Sequence, residues 1–494
     1  MEIHPVKTIL LPCRQKSIIQ SDTSYSSPCK GGAGWRVFFF LFLACAVFLL
    51  TSCGVMKNYE RPTDIQTDGL YGNAQTGDTE QSLGAKAWRE FFTDPTLQAL
   101  IERGLAQSVS MRQLDLQILE AQEYLKCSKL AYIPSLAFTP QGQLSSMDWN
   151  KPSKFYTLPL TASWQIGSFG QLRNAKKTAE VGVEQTRTAR QAVQQALVAN
   201  IANLYYTLCM LDAEIATSEK TVSNWRESVL LTKQLMAAGR SNKAAVAQTE
   251  ANCYNVETSL LDLRQAVIEA ENALCTILGE APHHIQRTSL DSFRAPQQLE
   301  TGVPMSLLAN RPDVKQAELK LASAFYAVNS AKAAFYPSLT ISGTLGFTNN
   351  GGSVEINPGK WIWNALGNLV QPIFQNGRLR AQKKVAIMQQ EEAKMAFQQS
   401  LVAAGNEVNT ALVKLQTAQG KESLIAAQIR SLNDALTATE ALYKDNVSRQ
   451  VNYLNVLTAQ TGLYGAQLGQ ISNQLAIVQA TIEVYQALGG GSLE

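Results

Sequence analysis

Residues 331–347, AKAAFYPSLTISGTLGF, change their hydrophobic period at a single proline. Before Pro337 the small and apolar residues suit a packed helix. Proline ends that helix because it lacks an amide hydrogen and disfavours a helical residue before it. Beyond it, apolar and polar residues alternate as in a strand with one greasy and one polar face. Such a strand suits either the wall of a membrane barrel or a half-buried strand of a soluble sandwich. The apolar face consists of Leu339, Ile341, Gly343, Leu345 and Phe347.

The same change of period occurs earlier in the chain. Residues 129–136 read KLAYIPSL and residues 332–339 read KAAFYPSL, an offset of 203 residues. A second match, at an offset of 207, aligns GQLRNAKK at residues 170–177 with GRLRAQKK at residues 377–384. We therefore predict an internal duplication in which each half is a helix, two strands, a long helix, a turn and a helix.

An uninterrupted apolar run, VFFFLFLACAVFLL, occupies residues 37–50. It is short for a membrane-spanning helix and has the length of a signal-peptide core. The sequence Leu50-Thr51-Ser52-Cys53 that follows resembles a bacterial lipobox. We predict a signal peptide over residues 1–52 and a covalent lipid such as palmitate on Cys53, which would anchor the mature chain. An ordinary signal peptide or a single membrane anchor is the alternative.

Composition excludes several classes of function. The net charge of +3 gives no indication of nucleic-acid binding. His283 and His284 are adjacent in a predicted loop, where surface residues are the ordinary interpretation, and we predict no metal site. No nucleophile, phosphate loop or catalytic motif stands out, so we expect neither an enzyme nor a cofactor. The cysteines of the helical regions show no metal-ligand or redox spacing; they are Cys127, Cys209, Cys253 and Cys275.

The long helices and the strands together constrain the assembly. A helix of roughly 70 residues after Gly170 is on the order of 100 Å long, which exceeds a globular core and is comparable with a periplasm. Four membrane strands cannot close a barrel alone, and open edges in lipid leave backbone groups unpaired. Copies must therefore associate if the strands lie in a membrane. Two copies would give a nearly filled barrel and three a more open one.

The ordered motifs of the chain resemble those of the outer-membrane efflux channels related to TolC and OprM, in their lipoprotein branch. Each motif is modest alone, but their order and spacing are specific and cover nearly the whole mature chain. The motifs are Cys53 with YERP at 59–62, FTDP at 92–95, RPDV at 311–314, the opening segment 331–347, QPIF at 371–374 with GRL at 377–379, and YQALGGG at 485–491.

The resemblance implies a mostly α fold with a membrane β part. Long antiparallel helical hairpins would form an α-barrel, and four transmembrane β-strands per chain would give a 12-stranded barrel in a homotrimer. The implied organisation is a lipidated linker and belt segment (53–96), a first repeat (97–280), a connector in the belt (281–309), a second repeat (310–488) and a C-terminal tail (489–494).

The implied function is a passive outer-membrane exit duct of a tripartite efflux system, extending into the periplasm. Small molecules would arrive from an inner-membrane pump, commonly of the resistance-nodulation-division (RND) class, through a periplasmic adaptor protein. A duct for type I protein or peptide secretion is the alternative. A non-channel coiled-coil spacer or adhesin is a third hypothesis, which the paired amphipathic strands and the duplication disfavour.

The resemblance also assigns the far tips of the hairpins. The adaptor would contact the two turns, at Gly239, Arg240 and Ser241 and at Asn446, Val447 and Ser448.

The periplasmic mouth departs from the family pattern. Relatives often carry acidic residues just after the second turn, whereas Asn455 and Thr458 are uncharged here, with Asp445 and Arg449 nearby. Two hypotheses remain open: a mouth closed by polar and cationic contacts without a carboxylate ring, or residues that merely cap and pack the tip.

Overall fold

The structure, a computed structural model, describes residues 57–62, 86–146, 152–166, 169–290, 293, 311–349, 360–445 and 453–490. The chain divides into two compact units, Met1–Lys57 and Asn58–Glu494. All but Lys57 of the first unit, including the predicted signal peptide and Cys53, lies outside the described residues. The description below concerns the second unit.

The strands form one antiparallel sheet that crosses from one half of the chain to the other. Strand β3 of the first half pairs with β4 of the second, from Thr157 opposite Thr348 to Ile166 opposite Leu339. The order is β1 and β2 together, then β3, β4 and β5. The strands are β1 (Ser135–Phe138), β2 (Gln141–Ser145), β3 (Ser153–Ile166), β4 (Ser338–Thr348) and β5 (Lys360–Val370).

The first of the four predicted strands consists of two short strands, β1 and β2. Both β1 and β2 pair with β3, so the sheet still has four strand positions. The interruption falls at Thr139-Pro140, where proline cannot donate a ladder hydrogen bond. The Thr139 amide still donates to the Pro159 carbonyl at 3.2 Å, which keeps the two pieces in line.

The two prolines separate helix from strand as predicted. Strand β1 begins directly after Pro134, and β4 begins directly after Pro337. The return from sheet to helix is also duplicated. Phe169 and Gly170 have φ of 32° and 90°, and Asn376 and Gly377 have φ of 49° and 79°. Glycine adopts this left-handed conformation without strain, which explains why it precedes both long helices.

Helices make up most of the other described residues, and their bounds follow the predicted duplication. Two helices exceed 60 residues, one in each half. The helices are α1 (Trp88–Phe91), α2 (Pro95–Gln107), α3 (Val109–Leu130), α4 (Gln171–Ala237), α5 (Lys243–Leu278), α6 (Pro312–Ala333), α7 (Arg378–Asp445) and α8 (Tyr453–Ala487).

The helices pack as two hairpins, α4 with α5 and α7 with α8, and the shorter α3 and α6 lie against α4. The largest apolar cluster joins α2, α4, α5 and α8 with the segment that follows α5. A second cluster joins α6, α7 and α8. Both lie between the sheet and the hairpin ends, and the first cluster joins the two repeats.

One described helix, α4, contains a stretch long and apolar enough to cross a membrane by length and composition. Half of that stretch is buried against neighbouring elements. A core helix passes the same test, so this stretch is no argument that α4 spans a bilayer.

Candidate channel wall, central clamps and tip

The sheet has one apolar face, as the alternation predicts. Across the register, Leu160 lies opposite Leu345, and Leu345 lies opposite Trp363. All three side chains are at least 45% exposed in the single chain. A face of this kind is unfavourable in water and favourable in lipid. Its other large exposed members are Leu136, Phe138, Leu144, Leu158, Trp164, Ile341, Trp361 and Leu369.

Aromatic side chains mark both ends of this face. At the end near the helices, the Trp164 Nε1 donates to the Tyr132 carbonyl at 3.0 Å. At the opposite end, the Phe347 and Trp361 rings lie 4.1 Å apart. Aromatic girdles at both boundaries are typical of strands that cross a bilayer.

The sheet ends in two open edges. Strands β1 and β2 pair only with β3, and β5 pairs only with β4, within the described residues. Unpaired edge groups cost several kcal/mol each in lipid. A single chain therefore cannot form a stable membrane wall.

The first hairpin ends at a turn of the predicted kind. Gly239 has a φ of 74°, and a Cβ placed on it would meet no atom within 4 Å. Glycine is therefore favoured here by the left-handed backbone of the turn and not by close packing. The Asn242 side chain caps α5 by accepting from the Ala245 amide at 2.9 Å. Arg240 is exposed and Ser241 is partly exposed, so both are available for contact at the end of the hairpin.

The second turn lies largely outside the described residues. Asn446, Val447, Ser448 and Arg449 fall there, whereas Asp445 is the last residue of α7. These predicted turn and mouth residues stay predictions.

Two predicted mouth residues lie at the start of α8. Asn455 and Thr458 are both exposed. The Thr458 hydroxyl donates to the Leu454 carbonyl of its own helix at 2.8 Å. That bond lies within the helix and does not distinguish the two hypotheses, so the roles of Asn455 and Thr458 stay predictions.

A cavity of about 690 Å³ lies between the hairpins near these ends. Its apolar lining residues include Trp225, Leu436 and Tyr464, and its polar ones include Glu227 and Glu440. Beside it, the Ser218 and Tyr464 hydroxyls lie 2.9 Å apart and connect α4 to α8. The tip cluster, which packs the hairpins together here, consists of Val222, Trp225, Cys253, Val256, Val456 and Leu457.

A first central clamp is centred on Asp94 of the FTDP motif, where an acidic residue directly before proline predicts a helix N-cap. The cap is confirmed, because the Asp94 Oδ1 accepts from the Thr96 amide at 2.8 Å and Pro95 begins α2. The Asp94 Oδ2 also accepts from the Tyr205 hydroxyl and the Thr288 hydroxyl, each at 2.6 Å. Sequence reasoning missed these partners, since 111 and 194 residues separate them from Asp94.

The ionisation of this clamp follows from its contacts. Burial works to raise the pKa of Asp94, but hydrogen bonds from Thr288 and Tyr205 and from the α2 amides outweigh it, so the pKa lies below the ordinary value. Burial, together with the Asp94 carboxylate, raises the pKa of Tyr205 to about 12. The pair is therefore a carboxylate and a neutral phenol at neutral pH.

A second clamp is centred on Arg287, whose side chain is 7% exposed. Its guanidinium donates to both Asp212 oxygens at 2.5 and 2.8 Å and to the Glu271 Oε1 at 2.5 Å. It thereby fixes the segment after α5 onto α4 and α5. The bidentate geometry is one that lysine cannot reproduce.

A third clamp is centred on Arg311, within the RPDV motif. Arg311 donates to both Asp313 oxygens, to Glu407 on α7 and to the main-chain carbonyl of Ala487 at the end of α8. Burial works to lower the pKa of Arg311, but the hydrogen bonds and charges of Asp313 and Glu407 outweigh it. The pKa therefore lies above its usual range. Three helices of the second repeat are thus joined by one side chain.

The segment after the predicted lipidation site packs on the wall of the second unit. Arg61 forms two hydrogen bonds with Glu318 on α6, at 2.6 and 2.7 Å. The Tyr59 ring lies 5.9 Å from Phe325 in an edge-on contact. The YERP motif is therefore held against α6.

Among the described residues, no three His, Cys, Asp or Glu side chains come together as a candidate metal site. His283 is hydrogen-bonded to Ala281, and His284 to Glu271. The surface interpretation of the two histidines agrees with their exposure.

Comparison with known proteins identifies the family. The model of the outer membrane efflux protein family matches residues 100–280 and 303–490. The cation efflux system protein CusC of Escherichia coli K12 is 27% identical over 476 residues, covering 94% of this chain and 100% of CusC. The probable outer membrane lipoprotein SilC of Salmonella typhimurium is 25% identical over 457 residues, covering 91% and 98%.

A solved structure agrees with this. A crystal structure of CusC superposes with a TM-score of 0.79 at 25% identity, covering 89% of this chain and 100% of that chain. It is a transmembrane channel by its description, which agrees with the helical hairpins and antiparallel strands seen here. The family is one of transport ducts rather than enzymes. The chain therefore belongs to the outer membrane efflux protein family, and its place is the outer membrane.

Proposed function

We propose that this chain forms the exit duct of a tripartite efflux system as a homotrimer. The observation that supports this most directly is the sheet, which has four strand positions, one apolar face and two open edges. Three copies supply twelve strand positions, and joining β5 of one copy to the first strand position of the next removes every edge. A trimer of this size leaves an open lumen, as a passive duct requires.

The energy for transport would come from an inner-membrane pump, which we expect to be of the RND class. A periplasmic adaptor would connect the pump to the hairpin ends, because these lie farthest from the sheet. Gly239, Arg240 and Ser241 support this, since they are exposed or partly exposed. The cavity between the hairpins adds a mixed surface for a helical partner, with Trp225 and Tyr464 among its apolar residues.

Opening would occur at the hairpin ends. The tip cluster and the Ser218–Tyr464 contact hold the two hairpins of one chain together, so they are contacts that a moving hairpin must change. An adaptor that binds the open arrangement more tightly would shift the equilibrium towards it. The cargo would be a small molecule or ion, selected by the pump.

A covalent lipid on Cys53 would anchor the start of the mature chain in the outer membrane. Asn58 lies five residues later and accepts from the Arg173 guanidinium at 2.8 Å, close to the start of α4. That contact brings the linker to the level at which the strands become helices, which is within reach of a lipid anchored in the bilayer.

Native mass of the detergent-solubilised mature protein tests the assembly. We expect three copies per particle. A monomer that persists under gentle extraction would leave both sheet edges open and would overturn the duct, in favour of a spacer.

Cross-linking tests where the duct opens. Thiol cross-linking of the two turns uses Ser241→Cys combined with Ser448→Cys, in a Cys127→Ser background that removes an exposed thiol. We expect oxidation to stop efflux and reduction to restore it, with each single cysteine as control. Efflux that continues in fully cross-linked protein would contradict opening at the turns.

A further inference from the structure

All four strand-to-helix junctions lie at one end of the sheet. Trp164, near the end of β3, donates to the Tyr132 carbonyl just beyond α3. The Phe169 ring, just before α4, stacks at 5.0 Å on Tyr336, just before β4. Aromatic side chains at this level mark the boundary between hydrocarbon and headgroups. We call the segments around these junctions the junction belt, namely residues 125–134, 169–177, 328–337 and 371–384.

The junction belt is strongly basic. Its forty-three residues contain ten Lys or Arg and no Asp or Glu, whereas the net charge of the entire 494-residue chain is only +3. The sequences that join β2 to β3 and β4 to β5, residues 147–152 and 349–359, contain one Lys, one Asp and one Glu. Positive charge is therefore concentrated on the helix side of the bilayer boundary.

Helix stability does not account for these cations. Positive side chains near a helix N-terminus oppose the helix dipole. Neither long helix has an acidic residue in its first turn. Lys176 and Lys177 pair with Glu180, but Arg380 and Lys384 are exposed and form no ion pair within the described part of the chain. An anionic partner outside the chain would compensate for this unfavourable placement.

One contact indicates which side of the wall is involved. The Arg173 Nη2 donates to the Asn58 Oδ1 at 2.8 Å, and Asn58 lies five residues after the lipidation site we propose. A lipid on Cys53 must reach the bilayer on the outer side of the wall, so Arg173 lies on that side. Arg380 occupies the equivalent position in the second repeat, which places a similar cation at a second point around the barrel.

We propose that the junction belt binds the phosphate groups of anionic phospholipids in the leaflet next to the helices. Arg173, Arg380 and Lys384 would lie at the headgroups, and the aromatic rings would lie just above in the hydrocarbon boundary. Bound headgroups would fix the depth of the barrel in the membrane. The inference rests on the outer-membrane place of the strands and can fail while the duct itself stands.

Lipid binding by the assembled protein tests the proposal. The mature assembly in a neutral detergent is titrated with phosphatidylglycerol and with phosphatidylcholine of the same acyl chains, and bound lipid is counted by native mass spectrometry. We expect a preference for phosphatidylglycerol that weakens at high salt. The Arg380→Gln/Lys384→Gln variant should lower phosphatidylglycerol binding about tenfold, because two cations near an anionic surface are lost.

The matched control is Lys421→Gln/Arg430→Gln, which removes the same charge from exposed positions of α7. These positions are roughly 65–80 Å along the helix from Arg378, and binding should stay at the wild-type level. Equal losses in both double variants, or an unchanged preference in Arg380→Gln/Lys384→Gln, would overturn the proposal. So would full displacement of the lipid by millimolar inorganic phosphate, which would indicate a simple anion site. If the first variant does not assemble, Arg173→Gln alone should lower binding several-fold.

Discussion

The Arg311 guanidinium donates a 2.8 Å hydrogen bond to the main-chain carbonyl of Ala487, although 176 residues separate them along the chain. The same side chain is only 7% exposed and also binds Asp313 and Glu407. The start of α6, the middle of α7 and the end of α8 therefore depend on one residue. A carbonyl at a helix end requires such a partner because it has none within the helix.

Replacing Arg311 by Gln should lower the free energy of unfolding by about 2–4 kcal/mol, since the carbonyl and the carboxylates lose a buried charged donor. Thermal denaturation of the solubilised assembly measures the effect. Lys414→Gln is the control, because its ion pair with Glu483 is exposed and such pairs contribute about 0–1 kcal/mol. Equal stability of the two variants would contradict the role assigned to Arg311.

The Asp94 clamp predicts a dependence on pH. The pKa of Asp94 is lower in the folded chain than its ordinary value, so its ionised form is favoured by folding. The resulting stability is fully present above the unfolded pKa of about 4 and is lost as pH falls through the lower folded value. We expect denaturation midpoints to be constant near neutral pH and to fall in acid.

Tyr205→Phe removes one donor from that carboxylate and should cost about 1–3 kcal/mol at pH 7, with a smaller difference in strong acid where Asp94 is protonated. Tyr206→Phe is the control, because Tyr206 is a neighbouring buried residue whose hydroxyl makes no hydrogen bond to Asp94 among the described residues. A Tyr205→Phe effect that is independent of pH would show that the hydroxyl does not act through the charge of Asp94.

The pairing of β3 with β4 predicts that Gly346 does not tolerate a larger side chain. Gly346 lies opposite Pro159, and a Cβ at Gly346 would collide with the backbone of Leu158 and Pro159. Backbone cannot move aside as a flexible side chain can, so Gly346→Ala should strain the β3–β4 pair by about 1–3 kcal/mol. The fraction of protein that reaches the assembled form measures this strain.

Gly367→Ala is the comparison, since a Cβ on Gly367 meets nothing within 4 Å in the single chain. We expect wild-type yield from Gly367→Ala and a reduced yield from Gly346→Ala. Comparable yields would mean that the pair at Gly346 can relax.

Local pattern was enough to predict most of the architecture. Some features depend only on residues a few positions apart, so they can be predicted from the sequence. They are the proline that separates α6 from β4, the duplicated turn at Gly377 and the Asp94 cap. The clamps could not be predicted in this way. Arg311 and Tyr205 are ordinary in their local context, and only packing brings their partners to them. The interruption at Pro140 is an intermediate case. The proline is evident in the sequence, but the sequence does not show that β1 and β2 both pair with β3 on either side of it.

The hypothesis of a mouth without a carboxylate ring gives the last prediction. Asn455 and Thr458 are exposed at the start of α8 and carry no charge. Divalent cations bind clustered carboxylates, so they should reduce the single-channel current of the wild type only weakly. Asn455→Asp/Thr458→Asp would introduce six carboxylates in a trimer, and block by divalent cations should then become strong. Gln470→Glu, exposed on the same helix farther from the tip, should behave as wild type. Strong block of the unmodified protein would contradict the hypothesis and would require acidic residues elsewhere along the lumen.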